Sequence, residues 1–146
     1  MVSALRRGLL AVFLLGVVGT TAELLLLEHY DGWKQWVPGV LLCMGGLAAA
    51  TVAWRPVPWL LRAFQVALVL FVVAGGVGVW FHYAGNVEFE IERTPELGGM
   101  ALFGAAMGGA TPALAPGTMI QFGLTGLLFI WRHPGWRARE TPLPSH

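Results

Sequence analysis

Charge is scarce in this chain. Only 12% of its 146 residues are Asp, Glu, Lys or Arg, about half the share of an ordinary soluble domain. Long runs carry no charge at all, which excludes a typical water-soluble fold. Cysteine is scarcer still: Cys43 stands alone, inside an apolar run. An internal disulfide is excluded, and the count is silent on redox compartment. There is no HExxH, no CxxC, no phosphate-binding loop and no Ser-His-Asp arrangement, so no catalytic constellation is in view. The formal net charge is +1, with no basic stripe. Nucleic acid is therefore not an expected partner.

Hydrophobic residues fill what is left, at 56% of the chain. Four segments approach the length of about 20 residues that a helix needs to cross a ~30 Å hydrocarbon core. They run over 8–27, 36–54, 59–83 and 112–131. Lipid offers no partner to an open backbone, so helix is the expected state of each. The expected fold is an all-α integral membrane protein, 1–146 forming one membrane domain. It is a four-transmembrane-helix bundle with an outer loop over 84–111 and a tail over 132–146.

The arginines orient it. Arg6 and Arg7 precede the first segment, Arg55 and Arg62 flank the second connection, and Arg132, Arg137 and Arg139 follow the fourth. Lys34 and Arg93 alone fall on the other side, with Glu28, Asp31, Glu88, Glu90, Glu92 and Glu96. Basic flanks remain in the cytoplasm. Both termini are therefore expected there, in a bacterial inner membrane. All seven tryptophans lie at or just beyond a segment boundary, as an interfacial aromatic belt requires. The N-terminal "RRGLLAVFLLGVVGTTA" has the outline of a cleavable signal ending at Ala22. Its apolar run continues through Leu27, longer than a signal core, so a retained first span is expected.

Between the third and fourth segments, "NVEFEIER" alternates Val87, Phe89 and Ile91 with Glu88, Glu90 and Glu92. Period two predicts a strand, or an extended acidic loop resting its apolar face on headgroups. Thr94 and Pro95 then read as the start of a short outer-face helix reaching about Gly109. Gly104 and Gly108 form a GxxxG pair within it, a spacing that permits close helix contact.

Two features carry candidate chemistry. Both tyrosines follow a histidine and precede a glycine by two, as His29-Tyr30 and His82-Tyr83. Aligning 29 with 82 matches little else, so any internal duplication is faint. Interfacial anchoring explains the tyrosines. The histidines, with Glu28, form the alternative: an outer-face site for haem or a transition metal. The second feature is Glu23, an intramembrane carboxylate, which needs a partner. Gln121 at comparable depth is the expected one, a polar pair holding two helices in register.

Two function classes follow. One is a non-catalytic accessory or assembly subunit, without cofactor, whose partners are the bilayer and another membrane protein or a second copy. The other is a small carrier or metal- or haem-binding protein using His29, His82 and Glu23.

Overall fold

A computed structural model describes residues 2–28, 31–109 and 111–137. Among them lie five α-helices and no strand: α1 (Val2–Leu26), α2 (Trp33–Trp54), α3 (Pro58–Arg93), α4 (Gly99–Met107) and α5 (Gly117–Ile130). A 3₁₀ turn over Pro134–Arg137 follows α5. Helices α1, α2 and α3 are long and apolar enough to cross a membrane. Helix α5 has 14 residues, about 21 Å by helical rise, and is preceded by turns over 113–116.

The longest helix, α3, has 36 residues. Pro58 starts it, in the first-turn position where a missing N–H costs nothing. Trp59 and Trp80, both exposed, stand about 31 Å apart along it, close to a hydrocarbon thickness. The remaining turns, from Phe81 to Arg93, extend about 20 Å further.

The stretch 84–111, expected as an acidic extended loop, instead carries helix over 84–93 and Gly99–Met107. Residues 84–93 continue α3, and Glu90 is 4% exposed while Phe89 and Ile91 are 48% and 43% exposed. The alternation does not separate two faces, because side chains four apart, not two, share a helix face. Asn86 and Glu90 share one, turned inward. Nothing in Gly85–Arg93 stops a helix already running. It ends at Thr94, the residue before Pro95, where helical backbone is disfavoured. Thr94 thus closes α3 rather than opening the next helix, and α4 begins only at Gly99.

The core joins α1, α3 and α5 through phenylalanines. Phe13 meets Phe64 edge-on at 5.5 Å, Phe122 at 6.2 Å and Phe71 at 6.1 Å; Phe64 meets Phe129 at 6.3 Å. Each such pair is worth roughly 0.5–1.5 kcal/mol beyond its area. Glycines make the room: Gly16 receives the Phe122 ring, and Gly45 of α2 receives Phe71. Between α3 and α5 the approach is to backbone. A Cβ on Gly123 would lie 2.7 Å from the Leu68 carbonyl oxygen, and one on Gly75 2.9 Å from the Ile120 nitrogen. Close approach through small residues is how helices associate where lipid removes the hydrophobic drive.

At one end the arginines gather. Arg6 donates to the carbonyls of Trp131 (3.2 Å) and Arg132 (2.8 Å). A cation thereby caps the carbonyl end of α5, where the helix dipole favours it. Gly135 of the 3₁₀ turn is buried against Pro56 and Leu61, bringing the α2–α3 connection to the same end.

Candidate functional site

The turns of α3 beyond Trp80 hold the α4–α5 connection. Asn86, 3% exposed, donates through Nδ2 to the carbonyls of Ala106 (2.8 Å) and Thr111 (2.6 Å). Its Oδ1 accepts the Thr111 N–H at 3.2 Å. One turn earlier, His82 Nδ1 lies 3.0 Å from the Pro112 carbonyl oxygen. A carbonyl only accepts, so that nitrogen carries the proton. Residues 108, 109 and 111–116 are not helical, so their backbone groups need partners other than a helix's own. His82 and Asn86, four residues apart on one helix face, supply them.

Further along the same face, Glu90 accepts from Arg93 at 2.7 Å, the carboxylate buried and the guanidinium exposed. A cleft of about 540 Å³ opens there, with Phe89, Glu90 and Arg93 on one wall and Gly104, Ala105, Gly108 and Gly109 on the other. Gly104 faces open space, and only Gly109 packs closely, against the Asn86 side chain. Close contact with α3 therefore falls to Gly109 rather than to the Gly104/Gly108 pair.

His29 and Tyr30 lie outside the described residues, so their pairing with His82 and Tyr83 has no geometry here. Glu28 is exposed, with a left-handed φ of 51°. Tyr83 packs its ring between Trp80 (6.2 Å) and Phe103 (5.9 Å), joining α3 to α4. Among the described residues no group of three His, Cys, Asp or Glu side chains converges.

Glu23 and Gln121 are both exposed, and among the described residues no hydrogen bond joins them. The register explains this. Gly16 packs on Phe122, and Arg6 reaches Trp131 and Arg132. The two helices run antiparallel, so Glu23 comes level with Ala115, some six residues, or ~9 Å, from Gln121. By contrast, the hydroxyls of Thr21, Thr51 and Thr118 bond to carbonyls three or four residues earlier on the chain.

Sequence reasoning missed Asn86, taken for a loop residue. The spacing His82, Asn86, Glu90 was its signal, since every fourth residue shares a helical face. It also missed His133 at the arginine end. There Nδ1 accepts the Gly135 N–H at 3.0 Å, and the ring lies 5.5 Å from Phe129. Burial, and then the Arg6 guanidinium, push this imidazole below its ordinary 6.5. Comparison of the chain with protein-family models, with curated proteins and with solved structures finds no match.

Proposed function

We propose that this chain is a small multi-pass membrane protein acting as a non-catalytic accessory or assembly subunit. The exposure of Glu23 within a spanning helix carries this reading. A carboxylate at membrane depth is costly without a partner and ordinarily faces protein. A neighbouring membrane protein supplies that environment. Gln121 on α5, equally exposed, is in the same position. Helix α1 is also the least covered span: 11% of its most apolar window is buried, against 28% in α2 and α3.

The fourth crossing is the Pro112–Trp131 segment centred on α5. In its support, the chain from Pro116 to Gly135 follows α3 from Gly78 down to Leu61, about 26 Å by helical rise. The arginine end faces the cytoplasm of a bacterial inner membrane, and both termini lie there.

Extraction of the tagged full chain into lipid nanodiscs tests the reading. A second membrane protein in stoichiometric amount is expected, with no Soret band and no stoichiometric metal. A solitary chain carrying haem or metal would overturn it in favour of a small carrier or cofactor protein.

A further inference from the structure

We infer that the exposed face of α1 docks a membrane helix of a different protein, and that this helix presents a lysine or arginine level with Glu23. The inference rests on the accessory-subunit reading and supplies the chemistry of its partner.

Leu5, Val12, Gly19 and Leu26 recur seven apart on α1, and Gly8, Leu15 and Ala22 fill the alternate positions. All seven are exposed, whereas Phe13 and Val17 on the other side are buried. These positions form one stripe along an exposed apolar face, at the spacing that the seam of a helix pair uses. Nothing lies within 4 Å of where a Cβ would stand on Gly8 or Gly19, so a second helix can approach to backbone distance. No other part of the described chain covers this seam.

Glu23 flanks the seam beside Ala22. Its depth follows from the α1–α2 register: a Cβ on Gly46 would lie 3.3 Å from Val17 Cγ1. With α2 antiparallel, Leu27 is level with Trp36, and Glu23 lies about 6 Å deeper. Leu25, Leu26 and Leu27 beyond it are 63%, 84% and 67% exposed, so the apolar surface continues past the carboxylate. Residues flanking such a seam meet the flanking positions of the partner.

A second copy does not satisfy this geometry. In a parallel two-fold pair each Glu23 meets Val18 of the other chain across the seam, and both carboxylates stay unpaired. An antiparallel pair requires copies of opposite orientation, against the arginine bias. A cation on a different helix neutralises the charge, and a long basic side chain reaches ~6 Å depth while its helix stays in register.

The test uses the full chain in phosphatidylcholine vesicles and three synthetic Leu/Ala transmembrane peptides. One carries a single arginine level with Glu23, one carries leucine there, and one carries the arginine at the opposite end. Energy transfer between labelled chain and peptide reads association. The level arginine peptide is expected to bind about ten-fold tighter than the other two. Glu23→Leu should remove that preference, and Gly19→Leu should weaken all binding. Glu23→Gln, which keeps the shape and a hydrogen-bonding group, should lose most of the preference while helicity stays unchanged. Equal binding of the three peptides would overturn the inference, even where the nanodisc experiment recovers a partner. Association of two labelled copies that Gly19→Leu abolishes would overturn it as well.

Discussion

Asn86 and Thr111, 25 residues apart, bond to each other through both backbone groups of the threonine: its carbonyl accepts at 2.6 Å and its N–H donates at 3.2 Å. A third bond, to Ala106, makes the asparagine the fixed point around which the chain turns from α4 into α5. Asn86→Ala removes all three bonds, which a buried side chain makes to the α4–α5 connection. The expected loss is about 2–3 kcal/mol, measured by equilibrium unfolding in mixed micelles.

His82 holds the adjacent residue, Pro112, from a less buried position. His82→Ala should cost about 1 kcal/mol. Because both side chains fix one connection, the double variant should cost less than the two single losses added together. Strict additivity in a double-mutant cycle would show that the two bonds act independently.

The α3–α5 contact rests on the absence of side chains. A Cβ at Gly123 would stand 2.6 Å from Val72 Cγ2 and 2.7 Å from the Leu68 carbonyl oxygen, and that oxygen belongs to the backbone. Gly123→Ala should therefore destabilise by roughly 1–3 kcal/mol. Gly76→Ala on α3, where the space is open, serves as the control and should be neutral or slightly stabilising, since alanine favours helix.

Stability should depend on pH through His133. Its folded value lies below the ordinary 6.5, so the folded state binds the proton more weakly than the unfolded one. Between the two values the unfolded chain carries more bound proton, and stability falls as pH falls. Below the folded value no further loss comes from this group. Protonation also removes the acceptor for the Gly135 N–H. Unfolding followed from pH 8 to pH 5 should show a decline beginning near pH 6.5, and His133→Gln should flatten it.

Orientation is tested by reporter fusions after residues 34, 56, 93 and 140. They are expected to report outside, inside, outside and inside. An outward C-terminal fusion would remove the fourth crossing.

The three long helices were legible because a bilayer leaves so little choice: a run of about twenty apolar residues admits only a helix. Past Trp80 that constraint lapses. "NVEFEIER" suits a strand by its alternation and a helix by its polar residues four apart, and the helix already running from Pro58, with α4 beside it, decides between them. Arg6 could be read as a topogenic charge, but not as the cap of α5, because the α1–α5 register is set by Gly16 and Phe122 meeting in space. The same register separated Glu23 from Gln121. Both stand out in the sequence as polar residues in apolar surroundings, yet their relative depth depended on where α5 begins, and Pro112 and Pro116 left two possible starts.

A photocrosslinking scan along α1 in native membranes reads out whether this helix docks a partner. Probes at positions 5, 12, 19 and 26 are predicted to crosslink one and the same membrane protein, and probes at the buried positions 13 and 17 are not. Crosslinks to lipid alone along the whole helix, or to a second copy of the chain, would contradict the account.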